Sequence, residues 1–143
     1  MYAVNVRGMF FCIQAVAIQS MIPRKTGAIV NIASQVGIVG CPMCIPYCTS
    51  KAAVVQITRA AAIEWAAYNI RVNAVAPAWT VTDMTTTFFT NAPELKPHEI
   101  AKIPLHRIGT VDEVAPAVCF LASDAASMIT GTVLPIDGGW TAQ

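Results

Sequence analysis

A chain of 143 residues is long enough for one domain with its own core, and 55% of it is apolar against only 12% charged. Ordinary soluble domains carry about twice that charge, so part of this surface is expected to lie against another chain. A net charge of +1 argues against a nucleic-acid surface, which needs clustered Lys and Arg. Five cysteines, an odd number, do not make a disulfide framework and fit a reducing, cytoplasmic compartment.

Residues 8–23 are uncharged, but they fall short of the roughly 20 residues of a bilayer span and include Gln14 and Gln19. Residues 1–20 have Arg7 ahead of an apolar run, as a signal peptide does, yet no A-x-A site follows. A buried helix over 2–22 accounts for the same residues, with Val4, Phe11, Ala15 and Ile18 at helical spacing, and no membrane partner is expected. Pro23 and Gly27 end it. The β-branched run 28–33 predicts a buried strand with Ser34 at its carboxyl end. Gly37, Gly40 and Pro42 mark 35–45 as a loop, and Pro46 suits the first turn of a helix over about 47–68. A second strand over 70–76 is stopped by Pro77.

Residues 80–102 are Thr-rich, broken by Pro93 and Pro97, and read as a mobile loop with short helical pieces that closes over a ligand. Thr110 is a candidate N-cap for a helix over 111–123, with Asp112 and Glu113 in its first turn. A last strand over 132–136 turns out at Asp137-Gly138-Gly139. Alternation of this kind predicts a single α/β domain, 1–143, with a parallel sheet and flanking helices. Ligands of such sheets sit at the carboxyl ends of the strands, where Ser34, Pro77 and Asp137 fall.

Tyr47 and Lys51 stand four apart and share one helix face. A free tyrosine, with a pKa of about 10, is a poor base at neutral pH, and lowering it by roughly three units takes about 4 kcal/mol. An ammonium nearby and the positive end of a helix both favour the phenolate. A tyrosine so tuned gives a proton to a carbonyl oxygen or takes one from an alcohol. Ser34 can bond that oxygen if the strand end meets the helix. The bland alternative is a solvated lysine beside a chance tyrosine, and a capping role for Ser34. Cys41, Cys44 and Cys48 suggest zinc, but a second ligand pair is wanting: Cys12 and Cys119 are isolated, and His98 and His106 complete no motif. No metal is expected. Trp65 reads as core or interface.

Several patches together resemble the short-chain dehydrogenase/reductase family. They are Asn5-Val6-Arg7-Gly8, Val30-Asn31-Ile32-Ala33-Ser34, Tyr47-Cys48-Thr49-Ser50-Lys51, Arg71-Val72-Asn73-Ala74-Val75-Ala76-Pro77 and Thr82-Asp83-Met84. Phe120-Leu121-Ala122-Ser123-Asp124, Ile129-Thr130-Gly131 and Asp137-Gly138-Gly139 complete the series. The resemblance implies the C-terminal part of a Rossmann-like doubly wound sheet and an NAD(P)-dependent oxidoreductase that interconverts a secondary alcohol and a ketone. It implies Tyr47 as general acid/base and Lys51 as the residue that lowers its pKa and bonds the nicotinamide ribose. It gives Ser34 the substrate oxygen and Asn5 a water linking Lys51 to solvent. Pro77, Ala78, Thr80 and Thr82 would line the nicotinamide and its phosphates, with 80–102 as substrate lid. It also implies a homo-oligomer, dimer or tetramer, through the helices at 2–22 and 47–68.

Ala78 departs from the glycine usual after that proline. The larger departure is the glycine-rich strand–turn–helix that grips the pyrophosphate, which does not occur here. About the first hundred residues of a usual member have no counterpart, and the choice of NAD or NADP lies in that part. The segment Glu64-Trp65-Ala66-Ala67-Tyr68-Asn69-Ile70 is similar to polyol and sugar dehydrogenases, with 3-oxoacyl-carrier-protein reductases close behind. The alternative is a catalytically inactive remnant that serves only in association.

Overall fold

The computed structural model describes residues 1–143. Three strands, β1 (Gly27–Ile32), β2 (Ile70–Pro77) and β3 (Val133–Ile136), form one parallel sheet in the order β1-β2-β3. The register pairs Gly27 with Ile70 through Ile32 with Val75, and Ala74 with Val133 through Pro77 with Ile136. Parallel strands need crossovers, which helices supply. A helix α1 (Ala3–Arg24) precedes the sheet. α2 (Ile45–Trp65) links β1 to β2, and α3 (Asp83–Asn91), α4 (Leu95–Ala101) and α5 (Val111–Ala122) lie between β2 and β3. This is the predicted α/β order, with each strand and long helix where the sequence places it to within a few residues.

β2 is the central strand, and its alternation assigns the layers. Ile70, Val72, Ala74 and Ala76 pack on Ile13 of α1 and on Val54, Val55, Ala61 and Ala62 of α2. Arg71 and Asn73 point to the other face. The Arg71 guanidinium donates to the carbonyls of Leu121 (2.7 Å), Ala122 (3.3 Å) and Ser123 (3.0 Å), which the end of α5 leaves without helical partners. Helices therefore cover both faces of the sheet.

Local signals act as predicted at two helix starts. Pro46 occupies the first turn of α2, where its missing N–H costs nothing. Thr110 and Glu113 close a capping box on α5, with the Thr110 N–H donating to the Glu113 carboxylate at 2.9 Å.

One expectation needs correcting. α1 is not buried on most sides: only Ile13 and Ala17 are, while Val4, Phe11 and Ile18 stand exposed. By length and composition α1 could also span a bilayer, since its continuation past Pro23 and its start at Ala3 make it 22 residues. Within 80–102, α3 and α4 are the expected short helical pieces. Trp79 ties them down, stacking on Phe88 with ring centroids 5.3 Å apart, touching Phe89 at 4.9 Å, and donating its indole N–H to Glu99 at 3.1 Å. Such partners lie too far along the chain for a local pattern to reveal.

Candidate active site

β1 delivers Ser34. The Ala33 N–H still pairs with the Val75 carbonyl (2.8 Å), and Ser34 then leaves the sheet in extended backbone. Its buried hydroxyl donates to Gln35 Oε1 at 2.7 Å, with the Pro77 carbonyl 3.4 Å away, so it bridges the ends of β1 and β2. A single turn, Gln35–Gly37, then lays the loop on α2. Only glycine permits that approach: a Cβ on Gly37 would lie 2.7 Å from the carbonyl carbon and oxygen of Lys51.

Tyr47 sits in the first turn of α2, its N–H bonded to the Cys44 carbonyl at 3.0 Å, with the Ser34 hydroxyl beside its phenol. Lys51, one turn on, donates from Nζ to the Ile32 carbonyl at 3.0 Å and lies 5.8 Å from the centroid of the Tyr47 ring. Asn5 reaches across from α1: its Nδ2 donates to Ser50 Oγ at 3.2 Å, and that hydroxyl donates to the Tyr47 carbonyl at 2.8 Å. Tyr2 and Thr49 join hydroxyls beside this contact. The structure thus gathers Asn5, Ser34, Tyr47 and Lys51 around the first two turns of α2.

The electrostatics differ from expectation. Burial pushes the Tyr47 phenol above its ordinary 10.0, while the Ser34 hydroxyl pulls the other way, and the neighbouring Cys44 and Cys48 oppose a phenolate there. Burial lowers Lys51. The Lys51 ammonium is engaged by the Ile32 carbonyl, and burial sets the direction of the Tyr47 shift. In this state Tyr47 holds its proton.

The segment after β2 is fixed by backbone pairing. Ala78 N–H bonds the Ile136 carbonyl (3.1 Å), and Val81 N–H and Gly109 N–H bond the carbonyls of Gly109 (2.9 Å) and Trp79 (3.0 Å). The Thr80 N–H, between these, has no acceptor within the chain, and the Thr80 hydroxyl turns back to the Ala78 carbonyl at 3.1 Å. Thr82 caps α3, its Oγ accepting from the Thr85 N–H at 3.3 Å. A cleft of about 530 Å³ opens on the far side of this segment, between Ala78, Thr80, Glu113 and Asp137, and Ser34, Tyr47 and Lys51 do not line it. Cys41, Cys44 and Cys48 gather beside Tyr47 but do not form a group able to hold a metal ion. Sequence reasoning passed over Gln35 and Trp79. Gln35 follows a marked serine directly, the one signal that could have drawn attention to it.

The profile of a family described as enoyl-(acyl carrier protein) reductase matches residues 1–141. The chain belongs to the short-chain dehydrogenase/reductase family. Among its relatives in that family, a galactitol 2-dehydrogenase from Rhizobium johnstonii is 46% identical over 144 residues, covering 99% of this chain and 55% of that protein. A 3-oxoacyl-[acyl-carrier-protein] reductase from Staphylococcus aureus is 44% identical over 135 residues, covering 94% of this chain and 53% of that protein. The crystal structure of a gluconate 5-dehydrogenase from Burkholderia cenocepacia, in complex with NADP and tartrate, superimposes with a TM-score of 0.93 at 34% identity, over 99% of this chain and 55% of that one. The chain thus spans about half the length of these family members.

Proposed function

We propose that this chain carries the proton-transfer and nicotinamide-facing part of an NAD(P)-dependent oxidoreductase that interconverts a secondary alcohol and a ketone. The observation that carries the reading is the meeting of Ser34 and Tyr47 at the carboxyl end of β1, with Lys51 one helical turn away. A nicotinamide dinucleotide, when bound, supplies or accepts the hydride. The residues present fit its nicotinamide end. The unpaired Thr80 N–H is an open donor at the end of β2, flanked by Pro77, Ala78 and the Thr82 cap.

The chain's own residues do the rest. Ser34 turns its hydroxyl from Gln35 to the substrate oxygen and holds it beside the Tyr47 phenol. In reduction Tyr47 gives that oxygen its proton, and in oxidation it takes the proton back. Its elevated pKa suits the first direction, and Lys51, freed from Ile32, favours the second by stabilising the phenolate. Asn5, bonded to Ser50, fixes the turn of α2 from which Lys51 projects. The galactitol dehydrogenase and 3-oxoacyl reductase relatives support a polyol, sugar or 3-oxoacyl substrate, and the gluconate dehydrogenase supports a nicotinamide dinucleotide, with NAD and NADP both open to this half of the site. The working setting is the cytoplasm, with no nucleic-acid or membrane partner, and α1 and α2 pack against a second copy of the chain.

Calorimetric titration of the chain with NADH and NADPH, followed by nicotinamide oxidation with polyol-derived ketones and 3-oxoacyl thioesters, tests the reading. The expected result is binding of one cofactor and a turnover that Tyr47→Phe lowers by about a thousandfold. Absence of both binding and turnover leaves association as the chain's role and overturns the catalytic reading.

A further inference from the structure

Three thiols crowd the start of α2 and take no part in the proposed chemistry. Cys44 immediately precedes the helix, and Cys48 follows Tyr47 directly. Their Sγ atoms lie 3.4 Å apart, and both turn toward the Cys41 carbonyl, at 3.4 Å from Cys44 and 4.0 Å from Cys48. The Cys48 N–H donates to the Cys44 carbonyl at 2.9 Å, the bond of a regular helical turn. That turn sets the two Cα atoms about 6 Å apart, inside the span of a disulfide, whose sulfurs are about 2 Å apart. The sulfurs are already in contact, and the non-helical backbone of Cys44 (φ −133°, ψ 33°) can take up the small further approach. All five cysteines are free in the structure, and Cys12 and Cys119 are exposed.

We propose that Cys44 and Cys48 form a dithiol/disulfide modification site whose co-reactant is a low-molecular-weight disulfide of the glutathione type, and that closing it clamps the turn carrying Tyr47. The Cys48 thiolate attacks one sulfur of glutathione disulfide, its S–S bond breaks, and one glutathione leaves and takes up a proton. Cys44 then loses its proton and attacks Cys48 Sγ in the mixed disulfide, and the second glutathione leaves with a proton. Two protein thiols are oxidised to one disulfide, and one glutathione disulfide is reduced to two thiols. Burial pushes the Cys44 thiol up to about 12, which disfavours it as first attacker and assigns that step to Cys48. In the second step the short Sγ–Sγ separation offsets the weak acidity through effective concentration. Oxidation removes both thiols and ties together the residues on either side of Tyr47.

The site itself stands apart from the proposed function, and only its effect on turnover rests on that reading. The experiment equilibrates the purified chain with mixtures of reduced glutathione and glutathione disulfide, alkylates free thiols, and maps the products by mass spectrometry. The expected product has lost two hydrogens, links Cys44 to Cys48, and reverts with dithiothreitol. Cys41→Ser retains the link, whereas Cys44→Ser stops at a glutathione adduct on Cys48. A stable adduct on the unaltered chain without the internal link, a link between other cysteines, or no change overturns the site. Turnover of reduced and oxidised protein is read in parallel, with a loss of about tenfold to a hundredfold on oxidation that dithiothreitol restores. Unchanged turnover with the link formed overturns the clamp. No turnover in either state, with the link formed, sinks the oxidoreductase reading and leaves the modification site standing.

Discussion

Asn73 touches nothing in the proposed chemistry, yet it ties the turn before β3 to the central strand. It is fully buried, donating to the Ile129 carbonyl at 2.8 Å and accepting from the Thr132 N–H at 3.1 Å. Asn73→Ala strands the Thr132 N–H and leaves the Ile129 carbonyl only the long Arg71 contact of 3.5 Å, at a cost of about 1–3 kcal/mol, seen as a lower urea midpoint with the slope unchanged. Glu113 gives a pH-dependent counterpart. The Arg107 guanidinium, together with the Thr110 N–H and hydroxyl, holds its carboxyl down at about 2 against an ordinary 4.5. A depressed carboxylate stabilises the fold fully above its unfolded value and loses that contribution as pH falls through the folded one. Melting curves of the chain and Arg107→Ala are therefore expected to differ above pH 4.5 and to converge toward pH 2. Residue placement was legible where the signal was local: Ser34 at a strand end, and Tyr47 and Lys51 one turn apart. Asn73 and Gln35 were not, because Asn73 takes its meaning from Ile129, 56 residues on, and Gln35 from a buried pocket that only the fold creates.

Among the elements, the loop between β1 and α2 decides whether the site exists. Gly37 sits against the Lys51–Ala52 backbone, whereas Gly40 has nothing near it. Gly37→Ala forces loop and helix apart, moving Ser34 away from Tyr47, with an expected destabilisation of about 1–3 kcal/mol and a fall in turnover. Gly40→Ala at the tip of the same loop leaves both unchanged. Urea midpoints and kcat for the two variants separate packing from flexibility, since loss of glycine freedom alone would affect both. The sequence marked both glycines as loop residues and could not rank them, because the difference lies in what faces each Cα. The helices and strands were legible from periodicity, Pro46 and the Thr110 cap. α3 and α4 were obscured by threonines and prolines, and their order comes from Trp79 and Glu99, which meet only in three dimensions.

On the scale of the molecule, the question is what covers α1. Only 25 of 143 residues are buried, and the accessible surface is 8294 Å², against about 7,100 Å² expected for a compact monomer of this mass. The excess, roughly 1,200 Å², is of the order one partner contributes to a stable interface. Its chemistry is visible on α1, where Val4, Phe11 and Ile18 recur every seven residues and are 73%, 51% and 56% exposed, and on α2, where Ile63 is 80% exposed. Helical spacing in the sequence identified the α1 stripe, and within the chain α1 buries only Ile13 and Ala17. Periodicity shows that residues share a face, not which body the face meets. Under the proposal that α1 and α2 pack against a second copy, sedimentation of the chain at micromolar concentration gives dimers or larger assemblies. Phe11→Glu with Ile18→Glu places two charges in the seam, weakens self-association by about a hundredfold or more, and shifts the boundary to monomer. Ser50, fully buried where Asn5 meets α2, is the internal control: Ser50→Ala alters the site from within α2 and leaves the sedimentation profile unchanged. A chain that sediments as a monomer before any substitution overturns the second copy as the partner of α1.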